Sequence, residues 1–185
     1  MQQANPEFDK QIKDICTSGP LNGVRLFGVR DGYFELHDAT MWIIDAGIEL
    51  SFPAGKITLG WSSAEECQVF HLGSFEEIYQ GSNAFIFEPD EYVALDAMQG
   101  KKASAVNLRT MEFDFIHDYT MVPKKEMHYV ELALEFEGGG RLQIAPVYYS
   151  LENGESPKGY HYELSGDILI SVRETIEISD KPFQA

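Results

Sequence analysis

Basic residues are scarce in this chain, 14 lysines and arginines against 30 aspartates and glutamates over 185 residues. The formal net charge of −16 excludes the basic footprint through which nucleic acids and anionic membranes are bound, and leaves a basic protein as the open class of partner. Cysteine is scarcer still. Cys16 and Cys67 stand far apart and in no CxxC pair, so neither a disulfide framework nor a structural zinc site has support, and two reduced thiols are expected. Long apolar runs are missing too: nothing approaches the ~18 uncharged apolar residues of a membrane span. The opening MQQANPEFDK lacks the basic and apolar regions of a secretion signal. The expected location is the cytoplasm.

Catalytic signatures are also absent. No HExxH, GxSxG, P-loop or paired CxxC occurs, and Gly138, Gly139 and Gly140 lie between two alternating arms rather than between a strand and a helix. They predict a turn and not a phosphate cradle. Two of the five histidines precede aspartate, His37-Asp38 and His117-Asp118. Metal-dependent HD sites are built on helices, whereas both pairs here end strand-like runs, so local turn hydrogen bonds are the simpler reading. No metal, no cofactor and no enzymatic turnover are expected. Glu112 and Asp114 share one face of MEFDF, a solvated face opposite Met111, Phe113 and Phe115. His128 and Glu131, three apart, are expected on opposite faces of a strand.

What the chain has is alternation. Asn5 and Pro6 precede Phe8, Ile12 and Ile15 at helical spacing, and Gly19-Pro20 stops the run, which predicts one amphipathic N-terminal helix within residues 1–20. From Gly23 the period becomes two, and VRLFGVR, Asp31-Gly32 and YFELH predict a hairpin. Two longer stretches share a grammar. GIELSFPAGKITLGW alternates Ile48, Leu50 and Phe52 with Ile57, Leu59 and Trp61, while LALEFEGGGRLQIAP alternates Leu132, Leu134 and Phe136 with Leu142 and Ile144. Residues 45–62 and 129–146 are therefore read as matching hairpins, a possible duplication. Further strands are expected at 67–72, 106–116, 147–151, 159–164 and 167–178, the last half in water. Ser74 with Glu77 predicts a capped turn of helix, and residues 90–99, closed by Gly100, a second. The expected fold is α+β, predominantly antiparallel β: one domain over residues 1–185, its β-rich body (21–180) a sandwich or partly open barrel of hairpins behind a short N-terminal helix.

One segment departs from the rest. Residues 57–100 contain no lysine and no arginine but eight acids, Glu65, Glu66, Glu76, Glu77, Glu88, Asp90, Glu91 and Asp96, half of the net −16. Carboxylates without cations among them repel one another unless a partner benefits from the field. The same segment holds Trp61, Phe70, Phe75, Tyr79, Phe85, Phe87 and Tyr92, and acids interleaved with rings suit a surface that steers a cationic protein and then anchors it. The candidate partner-binding residues are Trp61, Glu65, Glu66, Phe75, Glu76, Glu77, Tyr79, Glu88, Asp90, Glu91 and Tyr92. A small, acidic, sheet-rich chain with such a segment and the hairpin wording IELSFPAGKITLGW resembles the immunity proteins that bacteria pair with polymorphic toxins. That resemblance implies stoichiometric inhibition of a cognate, cationic toxin by occlusion. The competing reading is a small-ligand-binding β-barrel or sandwich, or an enzyme, with aromatics lining its pocket.

Overall fold

Asn5 and Pro6 do start a helix. In the computed structural model, which describes residues 4–29, 34–38, 40–63, 66–79, 84–87, 93–115, 122–152, 156–172 and 174–182, α1 runs Pro6–Thr17 and the Asn5 side chain accepts a hydrogen bond from the Phe8 N–H at 2.9 Å. That bond satisfies one of the free donors of the first turn. Phe8, Ile12 and Cys16 form the buried stripe, and burial pushes the Cys16 thiol up to about 12. Tyr129 fastens the helix to the sheet: its hydroxyl donates to the Asn5 carbonyl and to Asp9 and accepts from the Asn5 N–H.

Among the described residues, the rest of the chain is mostly antiparallel β in two sheets, with no closed barrel. In order it forms β1 (Gly23–Val29), β2 (Phe34–Asp38), β3 (Met41–Ile44), β4 (Gly47–Phe52), β5 (Gly55–Ser62), β6 (Cys67–Leu72), the one-turn helix α2 (Phe75–Ile78), β7 (Ala84–Phe87), the one-turn helix α3 (Val93–Asp96), β8 (Ala103–Phe115), β9 (Lys124–Phe136), β10 (Arg141–Glu152), β11 (Ser156–Tyr162), β12 (Asp167–Val172) and β13 (Ile178–Ser179). The five-stranded sheet has the order β6-β5-β4-β1-β7. The eight-stranded sheet runs β13-β11-β10-β12-β3-β2, with β9 also paired to β10 and β8 to β9.

The two look-alike hairpins form as expected and lie in different sheets, β4–β5 in one and β9–β10 in the other. Both turn their alternating residues into a single core. Ile48, Leu50, Phe52, Ile57 and Leu59 meet Leu132, Leu134, Phe136, Leu142 and Ile144, with α1 and Trp42 joining them. The first hairpin closes at Phe52 and Gly55 over two residues. The second needs its three glycines, whose φ angles of +75°, +90° and +108° lie in the left-handed region.

Four expectations require correction. β1 and β2 do not pair: β1 lies between β4 and β7, whereas β2 pairs β3 at the edge of the other sheet. Residues 147–151 are the far half of β10 and not a separate strand. The run 167–178 breaks after Val172, and β12 is buried on both faces rather than half in water, because Ile168, Ile170 and Val172 face the main core and Leu169 a second one. Finally, His128 and Glu131 share a face. Val130 is an extra residue in β9, so Glu131 pairs with Arg109 and His128 with Met111, two β8 residues that point the same way.

Candidate functional site

The lysine-free segment folds around one face of the five-stranded sheet. In β4 and β5, Ile48, Leu50, Ile57 and Leu59 take the core side, so Gly47, Glu49, Thr58 and Gly60 take the outer side. Gly47 and Gly60 lie opposite each other there, and together they leave a shallow floor on which α2 rests. A Cβ at position 47 would stand 2.5 Å from the Phe75 ring, and one at 60 would stand 3.0 Å from the Tyr79 ring. Phe75 stacks on Phe27 with centroids 3.9 Å apart, and Tyr79 meets His71 edge-on at 5.9 Å. Replacing Gly47 by Ala is expected to cost about 1–3 kcal/mol by displacing α2, read as a fall in Tm together with faster hydrogen exchange over residues 75–79.

Beneath the helix is a carboxylate that sequence reading did not single out. The Glu49 side chain is wholly inaccessible, yet it is surrounded by donors. Arg25 Nη2 reaches both of its oxygens at 2.8 Å, Lys56 Nζ lies at 3.0 Å, and the Phe75 N–H donates at 2.9 Å. Burial opposes its ionisation, but the hydrogen bonds from Arg25, Phe75 and Lys56 outweigh burial and hold the Glu49 carboxyl below its ordinary range. Arg25 bridges onward to Glu76 at 2.6 Å, and that bond lowers the Glu76 carboxyl as well. Ser74 and Glu77 close the predicted capping box, and the Ser74 N–H holds the Glu77 carboxyl low.

Of the eleven residues proposed from sequence, six are described. Phe75, Glu76 and Glu77 come together on α2, and Tyr79 is its C-cap. Phe75 is buried and committed to Phe27, whereas the Glu76 carboxylate is 55% exposed despite its arginine. Glu66 is exposed at a backbone φ of +54° in the turn before β6. Trp61 is partly exposed but, one residue beyond Gly60, points to the sheet face opposite Tyr79. Glu65, Glu88, Asp90, Glu91 and Tyr92 lie outside the described residues.

Sequence reading missed Val29 and Ile86. Phe27 pairs with Ile86, which places Ile86 and Val29 on the outer face beside the Phe27–Phe75 stack, 47% and 43% exposed. β7 is the outermost strand on that flank among the described residues. Among the described residues no group of three His, Cys, Asp or Glu side chains converges to hold a metal, and no helix is long and apolar enough to cross a membrane. The chain matches no family model, no curated protein and no solved structure.

Proposed function

We propose that this protein is an acidic, stoichiometric inhibitor of a cationic protein, acting as immunity proteins act on a cognate toxin. The observation that carries the reading is the outer face of the five-stranded sheet. Exposed Val29 and Ile86 adjoin a helix whose carboxylates, Glu76 and Glu77, reach solvent. Apolar side chains rimmed by charge of one sign are the make-up of a protein interface, with the charge raising the encounter rate and the apolar contacts slowing release. No lysine or arginine among the described residues lies within ion-pair distance of Glu66 or Glu77, so these two are available to a partner's cations.

In this reading the partner meets Glu66, Glu76 and Glu77, joined by Glu65, Glu88, Asp90 and Glu91 of the same lysine-free segment, while Tyr79 and Tyr92 supply aromatic contact. Phe75 acts indirectly, by holding α2 in place. The partner is a cationic toxin domain, sought first as the product encoded beside this protein's own gene. Replacing Glu66, Glu88 and Glu91 together by Gln is expected to slow association with that domain by at least about ten-fold at low salt and to flatten its salt dependence, with Tm unchanged. An association rate and salt slope equal to the wild type would overturn the proposal.

A further inference from the structure

Residues 174–182 lie against the face of the eight-stranded sheet that carries the second core, and side chains hold them there more than a ladder does. Their strand pairing among the described residues is limited to β13, where Ile178 and Ser179 run parallel to Tyr160 and His161 of β11. Ile178 is the one buried side chain of the segment and Ile176 is half-buried, both packed on the second core, while the other side chains from Glu174 to Pro182 are exposed. Ser171 donates from its hydroxyl to the Glu174 carbonyl at 3.0 Å where the segment begins.

Gln143 reads the backbone of this segment. Its Oε1 accepts the Ile176 N–H at 2.8 Å, and its Nε2 donates to the Ile176 carbonyl at 3.1 Å. The same Nε2 donates to Glu131 Oε2 at 2.9 Å, and the Tyr162 hydroxyl donates to that oxygen at 2.6 Å. Burial and the bond to Glu131 push the Tyr162 hydroxyl up, which keeps it a donor. Gln143 is 1% exposed, and its bond to Glu131 orients the amide whether or not the segment is present. A fixed amide offering one donor and one acceptor suits a residue of any extended backbone, whatever its side chain. Arg109, cross-strand from Glu131, lies over the Tyr162 ring at 5.0 Å and grips both oxygens of Asp180 at 2.6 and 2.8 Å.

The row Arg109, Glu131, Gln143 and Tyr162 is thus assembled by the sheet, and the segment only rests on it. One buried side chain and two paired residues do little to offset the entropy of ordering residues 174–182, so this segment belongs to the part of the molecule that opens most easily. We propose that the row is a binding slot for an extended partner segment of the pattern aliphatic-x-aliphatic-x-acidic, and that the chain's own Ile176, Ile178 and Asp180 occupy it as a displaceable latch. The incoming backbone takes the Gln143 amide, its aliphatic side chains take the places of Ile176 and Ile178, and its carboxylate takes Arg109. The slot belongs to the eight-stranded sheet and α2 to the five-stranded one, so this inference stands or falls separately from the inhibitor reading.

The test uses the full-length protein and two capped, dye-labelled peptides, TIEISDK, which copies residues 175–181, and TIEISNK. In native-state hydrogen exchange the Ile176 amide is expected to exchange at least about ten-fold faster than the most protected amides of β10. Asp180→Asn is expected to speed it a further two- to five-fold or so with Tm unchanged, as the loss of an exposed ion pair does. A tethered latch competes at high effective concentration, so binding is read on Asp180→Asn, in which the latch is loosened. Fluorescence anisotropy is expected to show TIEISDK bound at millimolar concentration or below, roughly two- to five-fold more tightly than TIEISNK, and Arg109→Gln added to Asp180→Asn is expected to remove that preference. Exchange of Ile176 at the rate of the β10 amides overturns the proposal, by making the segment a fixed part of the fold. Absence of TIEISDK binding, equal affinity for the two peptides, or a preference that survives Arg109→Gln overturns it too. A wild-type dimer that dissociates on adding TIEISDK also overturns it, by placing the segment of a second copy in the slot.

Discussion

Gly166→Ala is expected to destabilise the fold by about 3 kcal/mol, the upper end of what overpacking costs, and to lower Tm by roughly 6–12 °C for a chain of this size. A Cβ at this position would stand 2.1 Å from the Val147 carbonyl oxygen, 2.6 Å from the Val147 carbonyl carbon and 3.1 Å from the Glu163 carbonyl oxygen. All three are backbone atoms, which cannot swing aside as a side chain can. Val147 is gripped on both flanks, by Tyr162 in β11 and Asp167 in β12. Gly166 is itself held by its N–H to the Glu163 carbonyl and by its own carbonyl, which accepts from the Gln68 amide at 3.3 Å. Relief of the clash therefore breaks either the β10–β12 register or the link to β6. Calorimetry on Gly166→Ala beside Gly23→Ala provides the comparison, because a Cβ at Gly23 meets nothing within 4 Å. Gly23→Ala is expected to stay within about 0.5 kcal/mol of the wild type, as surface changes do. Equal losses in the two variants would show that the close crossing of residues 163–166 over β10, from β11 on one flank to β12 on the other, is not the constraint described.

That crossing is also where the sequence stops being legible. Alternation and turn residues announce each hairpin arm separately, and β4–β5, β9–β10 and α1 appear where the pattern places them, because each is fixed by contacts close in sequence. Pairing between distant segments leaves no such mark. Asp31-Gly32 carries the residues of a tight turn, yet β1 takes β4 and β7 as neighbours and β2 takes β3, since tertiary pairing outweighs one local turn preference. β3 and β7, four residues each, are too short to show a period. In β12, DILISV reads as a half-exposed strand only if one side meets water, and both sides are covered.

The candidate site divides along the same line. The capping box of Ser74 and Glu77 was readable because its two members are three residues apart and its mechanism is local. That Phe75 belongs to the core was not, since the outer face of β4 and β5 reads as solvent-facing until a helix is known to cover it. The one available signal was glycine: Gly47 and Gly60 interrupt otherwise side-chain-rich strands, and glycine inside a strand marks close approach by another part of the chain. Glu49 between Ile48 and Leu50 looks like a surface acid for the same reason. Its role became visible only with Arg25 and Lys56 placed beside it by the register of β1 and β5.

Replacing Glu49 by Gln is expected to cost about 2–3 kcal/mol. Removing one member of a buried ion pair costs ~3–5 kcal/mol when the partner stays buried. Here Arg25 and Lys56 are roughly a third exposed and regain water, which reduces the penalty. Gln keeps the shape of the side chain but turns an NH2 group toward a site whose neighbours, Arg25, Lys56 and the Phe75 N–H, are all donors, so at least one meets another donor. The pH dependence separates charge from shape. Because the folded state holds the Glu49 carboxyl below its ordinary range, the unfolded chain takes up the proton first as pH falls. The stabilisation by Glu49 is therefore complete above the ordinary glutamate pKa of ~4.3 and is lost progressively below it. Measured from pH 7 down to about pH 3, the gap in Tm between wild type and Glu49→Gln is expected to narrow below about pH 4. Part of the wild type's acid sensitivity survives in the variant, since the Glu76 and Glu77 carboxyls are lowered too. A gap that stays constant or widens toward acid would mean that Glu49 is not held as a carboxylate under α2. The helix carrying Glu76 and Glu77 would then be fastened to the sheet by the stacking of Phe75 on Phe27, the edge contact of Tyr79 with His71 and the Arg25–Glu76 pair.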